Sequence, residues 1–289
     1  MKKYFIIPIV LFCLPVLVMG QDWHVGGMAG ISNYNGDLSE KTINFKHIGP
    51  TLGLFVRRDV NRYLSVRAGF QWGMVAAADS SNSSQALKDR NLSFRSHIGE
   101  ISLVGEFNFF DIYERGYTPY IFAGIGGFLF NPMGKTQNGN WVNLRDLGTE
   151  GQGMQEYADR LPYNLFQFAV PFGVGFRYEL DPKWTVGVEV GARYTSTDYL
   201  DDVSKTYVDE NLLLQYRGQL AVDMAYRGDE VNPKTGNPGV YPPDGTVRGN
   251  PGNKDWYAFT GLTVTYRLGG RNKSFGRAIK NTGCANMKF

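Results

Sequence analysis

Four carboxylates and two tyrosines crowd into the thirteen residues TDYLDDVSKTYVD, 197 to 209. Asp198, Asp201, Asp202 and Asp209 offer the hard oxygens that calcium takes, but the spacing lacks the D-x-D-x-D-G ladder that wraps a cation. Helix capping is the plainer expectation. Asp209 precedes DENLLLQYRGQLAVDMAYR (209 to 227), where Leu213, Tyr216, Leu220 and Met224 recur at spacings of three and four. A second constellation, Ser96, His97 and Glu100 in FRSHIGE, has the residue types of a nucleophile and its base. Alternation along a strand puts Ser96 and Glu100 on one face and His97 on the other, so a direct triad fails and His97 reads as a surface-girdle residue. There is no G-x-S-x-G, no H-E-x-x-H and no phosphate loop, and GIGG (124 to 127) reads as a glycine-bearing strand. The expectation is a non-enzyme with no catalytic, cofactor-binding or metal site.

The elements that carry these residues show a period of two. In KWTVGVEVGARYT (183 to 195), Trp184, Val186, Val188, Val190, Ala192 and Tyr194 form one apolar face with an aromatic at each tip, and the opposite face mixes glycine with Glu189 and Arg193. A soluble sandwich strand seldom carries alternate glycines on its polar face. Two aromatics ten residues apart, at ~3.3 Å per residue and a ~40° tilt, span roughly 25 Å, the height of an outer-membrane apolar band. The same pattern recurs in RYLSVRAGFQWGM, HIGEISLVGEFNFF, LFQFAVPFGVGFRYEL and KDWYAFTGLTVTYRL, and three glycine-rich segments, 23 to 31, 48 to 57 and 117 to 130, bring the total to eight. The facing of 117 to 130 stays open at this level.

The connections alternate strictly. RRDVNR (57 to 62), DIYERGY (111 to 117) and LDPK (180 to 183) are short, whereas 32–46, 76–92, 131–163 and 197–254 are long and polar. This predicts an all-β protein, an eight-stranded antiparallel up-and-down transmembrane β-barrel of OmpA-like size over 21–268, with tight periplasmic turns, long external loops and a short external helix. The loop 228–254, rich in Pro, Gly, Asn and Asp, reads as a mobile external excursion.

An eight-stranded barrel is just wide enough to be filled by its own side chains. The expected inward set contains Arg57, Arg67, Arg177 and Arg193 with Glu100, Glu106, Glu179 and Glu189, equal numbers of each sign. A proton or substrate path is the competing reading, but balanced charge in a narrow lumen favours a plug of ion pairs, since losing one partner costs about 3–5 kcal/mol. The turn residues Arg58, Asp59, Arg62, Tyr113, Glu114 and Arg115 are the expected periplasmic contacts, with Asp198, Tyr199, Asp201 and Asp202 as external ones.

The chain opens MKKYFIIPIVLFCLPVLVMGQ, read as a secretory signal peptide over 1–20 with cleavage near Gly20/Gln21 and a final location in the outer membrane. Cys13 would leave with it, so the mature chain keeps Cys284 alone and forms no internal disulfide. Loss of Lys2 and Lys3 takes the 30 basic residues to 28 against 27 acidic ones, a balance that gives no sign of nucleic acid. The segment 269–289 carries Arg271, Lys273, Arg277, Lys280 and Lys288 and no acid, and reads as a basic periplasmic tail, equally a strip that meets anionic head groups or an acidic partner and a plain disordered end.

Several long stretches in order, ISNYNGDL, LSFRSHIGEISLVGEFNFFD, TPYIFAGIGGFLFNP, LGTEGQG, FAVPFGVGFRY and TDYLDDVSKTYVD, resemble the PorG-like outer-membrane barrels of the type IX secretion system. The resemblance runs from about Gln21 to Gly269. It implies a non-enzymatic envelope component, without cofactor or small-molecule substrate, that sits in outer-membrane lipid and associates with the periplasmic ring formed by the machinery's lipoprotein and its soluble partner. It carries over no catalytic residues. The alternative on the residues themselves is an independent surface barrel, adhesin-like or lipid-modifying, that acts through its external loops.

Overall fold

The computed structural model describes residues 23–40, 46–231 and 239–269. The expected signal peptide and nearly all of the basic tail lie outside them. Eight long strands form one antiparallel sheet that closes on itself. They are β1 (Trp23–Asn35), β2 (Gly49–Asp59), β3 (Leu64–Ala78), β4 (Ser93–Asn108), β5 (Tyr117–Lys135), β7 (Phe166–Glu179), β8 (Trp184–Thr195) and β9 (Trp256–Arg267). A short β6 (Trp141–Asn143) extends the end of β5 as a hairpin. Every long strand pairs with its sequence neighbours, and β1 pairs with β9, so the barrel has no free edge. That closure is the condition for a sheet to leave no backbone group unpaired where water is missing.

The alternation read from the sequence is the alternation of the wall. Leu54, Phe70, Ile101, Ile125, Phe168, Val190 and Leu262 are among the large apolar side chains exposed on the outside. The open question of β5 resolves with Tyr120, Phe122, Phe128 and Phe130 turned inward and Ile121, Ile125 and Leu129 outward. The inward glycines make room for this bulk. A Cβ on Gly175 would lie 2.3 Å from the Tyr120 ring, and one on Gly73 would lie 2.5 Å from Phe259.

Several strands outrun the expected loop boundaries at the long-loop end, β1 to Asn35, β3 to Ala78 and β5 to Lys135. The outward positions at this end include Arg95 on β4 and Asn131 and Met133 on β5 rather than leucines, while Tyr34, Val75, Ala77, Phe94 and Phe130 stay buried inside. The barrel therefore projects beyond its apolar band. The projecting rim and the long loops share one hydrophobic core, in which Tyr34, Phe94, Ile98 and Phe130 pack with Leu38, Leu144, Tyr163, Leu200, Val203 and Met224. A second small core joins Met154 and Val208 to Leu213, Val222 and Ala225. The long loops thus form a folded cap over one mouth.

The helix expected over 209–227 is present in two pieces, Glu210–Arg217 and Gln219–Ala225, broken at Gly218 where φ is +82°. Asp209 caps the first as expected, accepting from the Leu212 N–H at 3.0 Å. Leu213 and Met224 are buried, one from each piece, while Tyr216 and Leu220, expected on the same stripe, are exposed.

Candidate functional site

The lumen holds a charged network built on inward positions of four strands. Arg67 on β3 grips Glu189 on β8 with both terminal nitrogens, at 2.7 and 3.1 Å, and its Nε lies 2.9 Å from Glu106 on β4. Glu106 in turn meets Arg177 on β7, which also donates to Asn108 at 2.9 Å. Toward the cap, Arg193 on β8 donates to Glu100 at 3.0 Å and to the Gln71 side chain. Tyr120 on β5 and Tyr257 on β9 donate to Glu189 and Glu100 at 2.6 and 2.8 Å. The guanidinium of Arg177 also lies 3.6 Å from the centre of the Tyr120 ring, and that of Arg193 lies 4.5 Å from the Phe259 ring. The void beside Arg67 and Arg193 measures about 20 Å³, roughly the space one water occupies. That void is too small for a solute.

Six of the eight residues expected in the plug therefore meet there, as three arginines and three glutamates. The other two lie nearer the short-turn end. Arg57 is buried as expected and meets Asp59 at 3.3 Å. Glu179 sits half-buried at the short-turn end of β7, beyond the central layer. The aromatic hydroxyls of Tyr120 and Tyr257 were missed as partners, although both residues stand on inward strand positions where their polar tips need one.

The expected turn contacts divide as well. Asp59 is the last residue of β2 and points into the barrel mouth, where it accepts from Tyr113 and lies 3.0 Å from the His24 ring. The Arg267 guanidinium covers the Tyr113 ring at 4.2 Å. Asp59 and Tyr113 therefore belong to an inner seal and not to an accessible turn. An inward-directed strand end explains this, because β2 continues two residues past the start of the expected turn at 57. Arg58 stands on the outward face of β2, its guanidinium 5.4 Å from the Trp23 ring. Arg62, Glu114 and Arg115 do lie on the rim. Arg62 bridges two turns by meeting Glu114 at 3.3 Å and Asp111 at 3.6 Å, and Arg115 lies over Phe110 at 4.3 Å.

The acidic stretch after β8 is buried, which removes Asp198, Asp201 and Asp202 from any exposed contact surface; Tyr199 is largely covered with them. Asp202 accepts from Thr149 at 2.5 Å and Tyr163 at 2.6 Å, Asp201 from Tyr34 at 2.5 Å, and Asp198 from Ser204 at 2.7 Å. Tyr199 stacks on Tyr163 with ring centres 4.7 Å apart. Two arginines complete the cap. Arg90 holds Asp79 through two bonds of 2.7 Å and the Asp37 carbonyl at 3.1 Å. Arg248 donates to Glu150 at 2.9 Å and to the Asp202 carbonyl at 2.6 Å, and Arg90 reaches the Arg248 carbonyl. All four long loops are joined through these groups. Arg248 lies in the stretch expected to be mobile, so residues 239–254 are instead built into the cap, while 232–238 lie outside the described residues.

Burial raises the cap carboxyls, Asp198 to about 7 and Asp202 to about 6, and lifts Asp201 well above the ordinary carboxylate range. Among the described residues no group of three or more His, Cys, Asp or Glu side chains is arranged to hold a metal ion. Ser96 and His97 face opposite ways, as the alternation requires. Ser96 Oγ accepts from the Asn131 N–H at 3.1 Å, and His97 stacks on Trp72 with ring centres 5.7 Å apart.

Fold and site together define a closed, ion-plugged eight-stranded β-barrel with a folded cap on one mouth and an apolar outer wall. The chain belongs to the family described as Domain of unknown function (DUF6089), whose model matches residues 2–226. The search of curated proteins finds no match. Similar solved structures include Ail, the attachment invasion locus protein of Yersinia pestis, in complex with the heparin analogue sucrose octasulfate, at 9% identity and a TM-score of 0.41, covering 86% of this chain and 100% of Ail. Neisserial surface protein A is similar at 8% identity and a TM-score of 0.40, covering 84% and 96%. A major outer membrane protein from Thermus thermophilus is similar at 13% identity and a TM-score of 0.40, covering 86% and 100%. At such scores the likeness carries no functional argument.

Proposed function

We propose that this chain is a non-enzymatic integral protein of the outer membrane that anchors a periplasmic assembly, the ring lipoprotein of the type IX secretion system and its soluble partner. The observation that carries the anchor reading is the filled lumen. A barrel whose interior is closed by Arg67, Arg177 and Arg193 with Glu100, Glu106 and Glu189 has no path to offer a solute, which leaves its two ends as the working surfaces. Its outer wall of leucine, isoleucine, valine and phenylalanine suits hydrocarbon, and its paired, closed sheet satisfies the backbone there. With short turns on the periplasmic side, the rim offers Arg62, Glu114 and Arg115 to a partner. The ordered segments that resemble PorG-like barrels supply the choice of partner.

Charge reversal at Arg62 and Arg115 tests this. The double variant Arg62→Glu, Arg115→Glu is expected to keep the barrel resistant to heat in detergent and to lose most of its co-purification with the ring lipoprotein. Undiminished recovery of the ring would remove this rim from the account. The second reading is a surface barrel that acts through its cap, and the exposed Leu161, Val240 and Val247 on the ordered loops favour it. Replacing all three with Ser while secretion continues and surface binding stops would support that reading over the anchor.

A further inference from the structure

Most of the barrel's outer wall is ridged by large side chains, but β1 presents Gly27 and Ala29 at successive outward positions. Gly27 lies in register between Leu54 on β2 and Val264 on β9, and Ala29 between Leu52 and Leu262. Two small residues between two pairs of exposed branched ones leave an apolar hollow of about 590 Å³. Sterics do not impose this gap. A Cβ on Gly27 would meet only ordinary contacts, Gly53 O at 3.5 Å and Leu54 Cδ2 at 3.8 Å, whereas one on Gly30 would strike Thr260 O at 2.0 Å. Beside it, toward the short-turn end, a second hollow of about 440 Å³ lies over Val56, Val66 and Ala68, and its foot is closed by Arg58 and Trp23. Both hollows are lined by β2, whose successive outward residues Leu52, Leu54 and Val56 lead from the first to the second and on to Arg58.

We infer that this surface seats one anionic phospholipid of the leaflet at the short-turn end, its acyl chain over Gly27 and Ala29 and its phosphate on Arg58. The inference rests on the membrane reading above. Hydrocarbon meets no net hydrophobic drive toward one apolar wall over another inside a bilayer, so retention must come from the head group and from packing. Arg58 supplies the first through charge-assisted hydrogen bonds to phosphate, at the depth where interfacial aromatics such as Trp23 stand. The shallow floor of Gly27 and Ala29 supplies the second. A second copy of the chain fits less well. Copies inserted in the same direction place both Arg58 groups at one depth, so a two-fold contact over this face would set like charges together.

The test uses the mature chain folded in detergent micelles with phosphatidylglycerol and phosphatidylcholine in equal amounts, read by native mass spectrometry. One retained phosphatidylglycerol per barrel is expected. Arg58→Gln is expected to lower its retention on the order of tenfold and erase the preference over phosphatidylcholine. Gly27→Leu fills the floor and is expected to displace the lipid with Arg58 intact; resistance to heat in detergent, read on the same samples, confirms that both variants are folded. Equal retention by the wild type and both folded variants, or a dimer that Gly27→Leu dissociates, would overturn the inference while leaving the membrane reading intact. A chain that stays monomeric and soluble without detergent would remove both.

Discussion

Arg67 is the residue on which the interior depends most. Its guanidinium answers two buried carboxylates, Glu106 and Glu189, at once, and Glu106 is shared with Arg177. Arg67→Ala leaves Glu189 with the Tyr120 hydroxyl and Glu106 with Arg177. The expected cost is about 3–5 kcal/mol, the range for a buried charge robbed of its partner, measured as a fall in the urea midpoint of the barrel folded in lipid vesicles. Much of this layer was legible in advance, because alternation alone turned Arg67, Arg177, Arg193, Glu100, Glu106 and Glu189 inward. Who pairs with whom was not. Partners such as Arg67 and Glu189 are 122 positions apart and meet only through closure of the sheet, and no local signal specifies the tilt and register that set their depth.

At the scale of elements, the cap is where pH acts. Asp198, Asp201 and Asp202 titrate above the value of 3.8 that marks an ordinary aspartate, with burial as the leading cause in each case. A carboxyl whose value is raised in the folded state stabilises it most below its unfolded value. That contribution is complete below about pH 4 and is lost as pH rises through about 6 to 7. Arg248 beside Asp202 and Arg90 toward Asp201 lessen the effect without reversing it. Hydrogen exchange of the amides of 198–208 is therefore expected to be faster at pH 8.5 than at pH 5.5 after correction for intrinsic rates, and Asp198→Asn is expected to shrink the difference. Equal protection at both values would contradict the burial argument. The cap shows why loops resist sequence reading. The composition that marks 228–254 as an excursion, its Pro, Gly, Asn and Asp, is the same whether the loop is free or tied down. What ties it down is Arg248 meeting Glu150 and Asp202, contacts 98 and 46 positions away. The helix was half legible for a similar reason. Asp209 announced its start, but the turn at Gly218, which a glycine readily adopts, divided it.

The whole molecule is a wall with an apolar outside, a crowded ionic inside and one covered mouth. Depth should grade its tolerance of charge. Ile125→Arg, on the mid-wall outside of β5, is expected to cost about 2–4 kcal/mol of folding free energy in a bilayer, and Tyr117→Arg, at the short-turn end of the same strand, about 0–1 kcal/mol. Equal penalties at the two sites, measured in the same vesicles, would mean that the outer face does not meet a hydrocarbon gradient. This scale was the most legible, because the period of two and the alternation of short and long connections each record the barrel directly in the chain. The overrun of the strands past the apolar band escaped notice, since Arg95 and Asn131 end the apolar outer face without ending the pairing.

Association of the mature chain with lipid vesicles after a wash in urea at alkaline pH addresses the central claim most directly. The account predicts that the folded chain stays in the vesicle pellet and runs on an unheated detergent gel as a compact species that heating shifts. Recovery in the supernatant as a stable, monomeric β-rich protein would contradict it.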